Sequence, residues 1–162
     1  MSLSVRVGQG FDVHRFEPAP GSRTLVIGGV AFPGERGVVS HSDGDVVAHA
    51  AADALLGAAG LGDIGTRFPD TDPAWKDADS IDLLGRVARL VRAEGWQVGN
   101  VDCSVVCESP RISPRRGEME SRLAGAVGAP VTVKGRRAES LGALGRGEGI
   151  ACLASAVLVR GA

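Results

Sequence analysis

The chain has 162 residues, a length that fits one domain spanning residues 1–162. It carries 18 basic and 19 acidic residues, and a net charge of −1 argues against a nucleic-acid-binding surface. No run of 18 apolar residues occurs and the N-terminus lacks the pattern of a signal peptide, so we expect a cytoplasmic protein with no membrane partner.

The first third of the chain predicts two strands and a helix. Residues 4–16 have the composition of a strand interrupted by glycine, and residues 24–32 are predicted to be its partner. Residues 45–60 are rich in Ala and Leu and end at a glycine, which predicts a helix. Ser42 is a plausible N-cap for this helix, because a serine hydroxyl can accept from the first free backbone N–H groups.

The middle of the chain alternates between loops, helices and strands. Residues 61–78 lack periodicity and hold two Pro and two Gly, which predicts a long functional loop. An apolar stripe predicts a helix over 79–94, and residues 101–108 predict a strand. A Ser-Pro pair at 113–114 opens a predicted helix that ends at Gly128, and a short strand is predicted at 131–134.

The last segment, 151–159, is apolar on both faces, which predicts a strand in the centre of a sheet or against another subunit. The order β-β-α-loop-α-β-α-β-β predicts an α/β (α+β) two-layer sandwich, with helices on one face of a mixed sheet. Glycine is abundant at 24 residues and aromatics are few, so association of several copies is a reasonable source of extra burial.

A candidate metal site combines two segments. Asp12 and His14 are separated by one residue, so in a strand they project from the same face, about 6.6 Å apart. His49 lies in the first predicted helix, with Asp45 and Asp53 four residues away on either side. Two His and one Asp with an open fourth position are typical of catalytic zinc. The alternative is a chance Asp-x-His beside a surface ion-pair ladder.

Three further segments have both functional and structural interpretations. Residues 41–45 open a helix and suit an anionic phosphate, or they are a plain cap. The carboxylates within 68–72 could hold sugar-type hydroxyls, or they are solvated loop acids. The glycine-rich segment 145–149 resembles a phosphate-binding loop without the P-loop Lys-Ser/Thr, and close subunit packing explains its glycines equally well.

Taken together, these motifs resemble the 2-C-methyl-D-erythritol 2,4-cyclodiphosphate synthase family over nearly the whole chain. The matching segments are GFDVH at 10–14, HSDGD at 41–45, His49, DALLGAA at 53–59, LGDIG at 61–65, FPDTDP at 68–73 and GRGEGI at 145–150. Each motif is weak alone, but their common order is specific. The resemblance implies a homotrimeric phosphorus–oxygen lyase of the non-mevalonate isoprenoid pathway, with active sites between subunits.

The resemblance also implies the reaction and its metals. The substrate would be 4-diphosphocytidyl-2-C-methyl-D-erythritol 2-phosphate, and the products would be the 2,4-cyclodiphosphate and CMP. Asp12, His14 and His49 would bind one Zn²⁺ per subunit. Glu139 would lie beside a second divalent ion, Mg²⁺ or Mn²⁺, that bridges the α and β phosphates.

By the same resemblance, His41 and Arg137 would be catalytic, and His41 with Ser42 would hold the 2-phosphate side. Residues 68–72 would form a mobile flap, and residues 107–113 of a neighbouring subunit would form the cytidine pocket. The full substrate-binding set would be Asp12, His14, His41, Ser42, Asp63, Ile64, Gly65, Phe68, Pro69, Asp70, Thr71, Asp72, Cys107, Arg111, Ser113, Arg136, Arg137, Glu139, Ala143 and Arg146.

One segment departs from the family pattern. The family typically has Lys-Ala-Thr-Thr-x-Glu-x-Leu-Gly-Phe, whereas residues 134–143 here are KGRRAESLGA. Arg136 and Arg137 therefore replace two threonines that would contact the diphosphate. Either the arginines bind the diphosphate more strongly as charges, or they fill the pocket and impair the cytidine half. A non-catalytic trimer that binds metal or isoprenoid diphosphate and a zinc phosphodiesterase with a linear product are the alternative functions.

Overall fold

The computed structural model describes residues 2–18 and 21–161. In chain order the elements are β1 (Leu3–Arg15), β2 (Leu25–Ile27), β3 (Val30–Phe32), α1 (Val46–Ala59), α2 (Ile64–Arg67), α3 (Ser80–Ala93), β4 (Gln97–Val106), α4 (Arg116–Val127), β5 (Val131–Arg136), α5 (Gly142–Gly145) and β6 (Gly149–Gly161). Short 3-10 turns occur at Pro73–Trp75 and Ser113–Arg115.

The main sheet is mixed, as the sequence predicts, with the strand order β1-β6-β4-β5. β6 is antiparallel to both of its neighbours, whereas β4 and β5 run parallel. The prediction of a central position for the C-terminal strand is confirmed, because β6 lies between β1 and β4. α1 packs against β1, β6 and β4, and α4 packs against β5.

The predicted pairing of the first strand with residues 24–32 is wrong. β1 pairs with β6 over its full length, from Leu3 opposite Gly161 to Arg15 opposite Gly149. Residues 25–32 instead fold on themselves as a separate β2–β3 hairpin. The two glycines at its turn, 28 and 29, have φ angles of 59° and 75°, which is the conformation that a two-residue hairpin turn requires.

The N-cap of α1 is Asp45 and not Ser42. The Asp45 carboxylate accepts from Val47 N and Ala48 N inside the helix and also from Gly28 N at 2.8 Å and Gly29 N at 2.5 Å in the hairpin turn. One carboxylate thus fixes α1 relative to the hairpin. Burial raises the pKa of Asp45 to about 6, with Asp43 adding to the effect, while these backbone donors oppose the shift.

Two glycines of β1 allow α1 to pack closely on the strand. A Cβ atom at Gly8 would lie 1.9 Å from Ala54 O, and one at Gly10 would lie 1.9 Å from Ala50 O. No side chain larger than hydrogen fits at either position. The small residues of α1 complete this close packing, and nearly the whole helix is buried.

The predicted loop 61–78 contains two short ordered turns. Asp63 caps α2, and Asp72 caps the 3-10 turn that follows. The predicted helix at 79–94 is confirmed as α3, which begins at Ser80 with Asp79 as N-cap. The Ser-Pro pair at 113–114 forms a 3-10 turn and does not cap α4 directly, because Pro114 and Arg115 precede the first α-helical residue.

The other face of the sheet is not covered by any element among the described residues. It is mainly apolar along β1 and β6, whereas β4 and β5 place Asp102, Thr132 and Lys134 on it. Alternate residues of β1 point away from α1, and the large hydrophobic side chains exposed on the sheet are Leu3, Val5, Val7, Phe11, Val13 and Leu153. Monomeric soluble proteins rarely expose a large contiguous apolar patch. Among the described residues, no helix is both long and apolar enough to cross a membrane.

Candidate active site

The three residues predicted to bind zinc converge between β1 and α1. Asp12 and His14 project from the same face of β1, and His49 projects from the first turn of α1. Asp12 Oδ2 lies 2.9 Å from His14 Nε2 and 3.0 Å from His49 Nδ1, and the two ring nitrogens are 3.2 Å apart. In residues 2–18 and 21–161, this is the one set of three His, Cys, Asp or Glu ligand atoms that comes together.

This arrangement fits a tetrahedral Zn²⁺. Bonds of 2.0–2.2 Å imply ligand atoms roughly 3.3 Å apart, close to the observed separations of 2.9–3.2 Å. Two imidazoles and one carboxylate are also donors that zinc prefers, and three protein ligands leave a fourth position for substrate. The donor set therefore fits the metal that the resemblance implies.

The electrostatics of the cluster keep Asp12 anionic. Burial by itself raises the pKa of Asp12, but the hydrogen bonds from His14 and His49 outweigh it and hold the pKa well below the usual range. For His49, burial lowers the pKa, but the bond to Asp12 and the surrounding carboxylates raise it above the usual value. The site therefore contains an anionic carboxylate that can bind a cation.

The two acidic residues that flank His49 along the helix lie outside this cluster. Asp45 is the N-cap described above, and Asp53 Oδ1 accepts from Ile64 N at 2.7 Å, which ties α2 to α1. The ion-pair ladder that the spacing allowed is therefore not formed. Burial raises the pKa of Asp53, and the bond from Ile64 opposes that shift.

A cavity of about 410 Å³ opens next to the cluster. Its lining residues are His14, Val39, Ser40, His41, Ser42, His49, Ile64, Gly65, Phe68, Asp70, Trp75 and Leu83. His41 is held at its rim, with Nε2 3.2 Å from Asp72 O. Asp63, Pro69, Thr71 and Asp72 do not line the cavity, and Asp63 Oδ1 accepts from Thr66 N at 2.7 Å.

A second cavity, of about 340 Å³, lies where β4 and β5 end. Five predicted substrate-binding residues line it, namely Cys107, Arg111, Ser113, Arg136 and Arg137. Burial raises the pKa of the Cys107 thiol to about 11. This thiol therefore lines the cavity in its neutral form, which is not nucleophilic. The two arginines at 136 and 137 are exposed at its mouth.

Besides Asp12, Asp63, Pro69, Thr71 and Asp72, three more predicted site residues line neither cavity. Glu139 is exposed in the segment after β5 with a φ of 52°, and it does not join the Asp12 cluster. Ala143 lies in α5. Arg146 follows it and pairs with Glu148 at 2.5 Å.

The two cavities lie at opposite edges of the sheet but at the same level along it. Asp12 is opposite Cys152, Cys152 is opposite Val105, and Val105 is beside Gly135. Three strand spacings separate the edges, which is roughly 14 Å. The metal cluster and the second cavity therefore share no lining residue within one chain.

Several residues of the site were not predicted. Trp75 lines the first cavity and packs edge-on against Phe68, with ring centroids 4.9 Å apart. The one sequence feature that indicates a role for Trp75 is its place as a large aromatic residue in an otherwise polar, proline-containing segment. Ser80 contacts His49 from α3, 31 residues away, and no local pattern indicates this contact.

Comparisons with known proteins agree with the geometry. The model of the YgbB family matches residues 5–159. A 2-C-methyl-D-erythritol 2,4-cyclodiphosphate synthase of Rubrobacter xylanophilus is 57% identical over 159 residues, which are 96% of this chain and 95% of that protein. The bifunctional enzyme IspD/IspF of Anaeromyxobacter dehalogenans is 53% identical over 165 residues, and the match covers 100% of this chain but 42% of that protein.

A solved structure is also similar over nearly the full length. It is the CDP complex of IspF from Plasmodium falciparum, with a TM-score of 0.84 and 33% identity, and the match covers 98% of this chain and 97% of that one. The chain therefore belongs to the YgbB family of 2-C-methyl-D-erythritol 2,4-cyclodiphosphate synthases, which are lyases.

Proposed function

We propose that this protein converts 4-diphosphocytidyl-2-C-methyl-D-erythritol 2-phosphate to 2-C-methyl-D-erythritol 2,4-cyclodiphosphate and CMP. A 2-phosphate oxygen attacks the β-phosphorus, the bond from this phosphorus to the α–β bridging oxygen breaks, and CMP leaves with that oxygen. The observation that carries the proposal is the convergence of Asp12, His14 and His49 on a cavity in a chain of this family.

Two metal sites belong to the proposal. Asp12, His14 and His49 would hold one Zn²⁺ per subunit, and Glu139 would contact a second ion, Mg²⁺ or Mn²⁺. When bound, these ions supply polarisation of the phosphoryl oxygens and neutralisation of the leaving phosphate. The geometry of the Asp12 cluster supports the zinc site, whereas the second ion is proposed from the resemblance to the synthase family alone.

The residues of the first cavity bind and orient the 2-phosphate end of the substrate. His41 and Ser42 would hold the 2-phosphate, and His41 would donate to the charge that develops during transfer. The attacking oxygen is already anionic, so the cavity needs no strong general base. Positioning and charge stabilisation by the cavity are sufficient for the transfer.

The methylerythritol part would lie against α2 and the segment that follows it. Asp63, Ile64 and Gly65 would contact its hydroxyls, and residues 68–72 would form a flap over it. Phe68 and Asp70 line the cavity, which supports this role. Asp72, the last residue of this flap, contacts His41 through its carbonyl oxygen.

The second cavity would bind the nucleotide half. The relative from Plasmodium falciparum was solved as a CDP complex, and the cavity formed here by residues 107–114 and 135–137 has a size suited to a nucleoside. Arg136 and Arg137 would supply positive charge to the diphosphate at its mouth, with Arg137 as the catalytic member. Ala143 and Arg146 would contribute from the following turn.

We also propose a homotrimer with its active sites between subunits. The uncovered apolar face of the sheet supports association. The opposite-edge positions of the two cavities support shared sites, because a neighbour placed at the β1 edge could bring its own nucleotide cavity to the zinc cluster. Within one chain the two halves of such a site stay apart.

The reaction is tested by incubating the purified protein with the diphosphocytidyl substrate, Zn²⁺ and Mg²⁺ while following ³¹P NMR. Equimolar CMP and a cyclic diphosphate are expected. Zinc-loaded protein that releases no CMP would favour a non-catalytic binding trimer. A linear phosphorylated product of higher mass by one water would indicate a phosphodiesterase instead.

A further inference from the structure

Ser80 is a buried residue whose hydroxyl lies between His49 and Asp43. It is the first residue of α3 and is 1% exposed. Its Oγ lies 2.8 Å from His49 Nε2 and also donates to Asp43 Oδ1. A carboxylate can only accept, so the hydroxyl proton of Ser80 points to Asp43 and a lone pair of Oγ faces His49.

Asp43 is fixed in the orientation that directs this proton. Its Oδ1 accepts from Asp45 N at 3.1 Å, and its Oδ2 accepts from Ser80 N at 3.0 Å. Its own N–H donates to Ala78 O at 3.1 Å. Both carboxylate oxygens and the backbone are therefore anchored, so the Ser80 hydroxyl has one favoured direction.

The direction of the Ser80 hydroxyl determines the state of the His49 ring. Because Ser80 accepts, Nε2 is the His49 nitrogen that donates to it, so Nδ1, which lies 3.0 Å from Asp12 Oδ2, is the nitrogen left to face a bound metal. Ser42 Oγ is a second acceptor at the longer distance of 3.1 Å, and it already accepts from Gly44 N at 3.2 Å. Ser80 therefore provides the stronger contact.

We propose that Ser80, directed by Asp43, is a positioning residue that fixes His49 in the tautomer and orientation required for metal binding. This inference rests on the proposed metal role of Asp12, His14 and His49. Partners of this kind on a ligating histidine hold the ring in place and raise its basicity, and their loss weakens metal binding by about 10- to 100-fold.

The test compares Ser80→Ala with Asp79→Ala, a control at the adjacent position. Asp79 Oδ1 caps the same end of α3 by accepting from Ile81 N at 2.8 Å, but it is exposed and does not reach His49. Zn²⁺ affinity of the metal-free full chain is measured by competition with a chelator. We expect Ser80→Ala to bind Zn²⁺ about 10- to 100-fold more weakly and Asp79→Ala to bind within twofold of the wild type.

A spectroscopic measurement separates positioning from simple anchoring of α3. In the zinc-loaded wild type, the Nε2 proton of His49 should give a protected ¹H–¹⁵N resonance, and Ser80→Ala should lose that protection. If Ser80→Ala does not fold, Asp43→Asn replaces it, because the amide cannot accept from both Ser80 donors and the same weakening is expected.

The outcomes separate this inference from the proposed function. Equal zinc affinity in the wild type and Ser80→Ala, or equal weakening by Ser80→Ala and Asp79→Ala, would overturn the role of Ser80 alone. A wild-type protein that does not bind Zn²⁺ would overturn the proposed metal site, and the role of Ser80 with it.

Discussion

His14 and His49 direct their ring nitrogens toward each other across 3.2 Å, from a strand and a helix that are 35 residues apart in sequence. Both nitrogens also lie within 3.0 Å of one oxygen of Asp12. Two protonated imidazoles at this distance would repel each other, whereas two neutral ones can share a cation. The pair is thus arranged for a metal ion more than for a salt bridge.

The first prediction concerns this pair. His14→Ala removes one of three ligands, so we expect zinc content to fall from one ion per chain to near zero after dialysis, with loss of CMP release. His41→Ala is the matched control, because His41 lines the same cavity but lies outside the cluster. It should retain zinc while turnover falls by about 100-fold. Unchanged zinc content in His14→Ala, measured by mass spectrometry, would refute the ligand assignment.

The second prediction concerns the contact that places His49 beside Asp12. A Cβ at Gly10 would lie 1.9 Å from Ala50 O, so Gly10→Ala must push α1 away from β1. We expect a destabilisation of about 1–3 kcal/mol and a melting temperature lower by several degrees, together with weaker zinc binding.

Gly57→Ala is the control for this substitution. Gly57 lies on the exposed side of α1, where the nearest atom to a new Cβ is Gln9 O at 4.0 Å. Alanine there should stabilise the helix by up to about 1 kcal/mol and leave zinc binding unchanged. Equal melting temperatures for Gly10→Ala and the wild type, by circular dichroism, would show that the close contact is not needed.

The metal cluster could be predicted from the sequence because its geometry is partly local. The two-residue spacing of Asp12 and His14 places both on one face of any strand, and the structure confirms this. The helix that carries His49 is also recognisable from its composition. The residue types alone made the meeting of His49 with the other two one of two alternatives, and the resemblance to a known family favoured it. Periodicity does not specify which helix packs on which strand.

Non-local contacts account for what the sequence did not predict. β1 pairs with β6, about 145 residues away, and a short-range pattern favoured the nearer strand at 24–32. The same holds for Ser80, which has an ordinary position at the start of a helix and reaches His49 through the packing of α3 on α1. Side chains that such packing brings together show no periodic pattern in the sequence.

The third prediction concerns the two arginines at the second cavity. If Arg136 and Arg137 bind the diphosphate, changing both to Thr should raise the Kd for CDP by roughly tenfold, or about 1.4 kcal/mol, and flatten its dependence on salt. Arg115→Thr is the control, because Arg115 pairs with Glu118 and does not line the cavity. Calorimetric titration of each variant with CDP at two salt concentrations measures the Kd and its salt dependence. Tighter CDP binding by the double variant would show instead that the arginines obstruct the pocket.

The fourth prediction concerns the apolar face of the sheet, where Phe11 is 56% exposed in the single chain. If this face is the trimer interface, Phe11→Asp places a charge in a buried contact, and the mass in solution should fall from three chains to one. Leu141→Asp is the control, because Leu141 is 75% exposed but lies after β5, away from the sheet face. It should leave the trimer intact.

Light scattering coupled to gel filtration measures both masses. The Phe11→Asp chain should also keep its zinc, because Phe11 points away from the side of β1 that carries Asp12 and His14. Its turnover should nevertheless be lost, since the zinc cluster and the nucleotide cavity lie at opposite edges of one sheet. A monomeric variant with full turnover would show that a single chain forms the whole active site, and would contradict the shared-site arrangement.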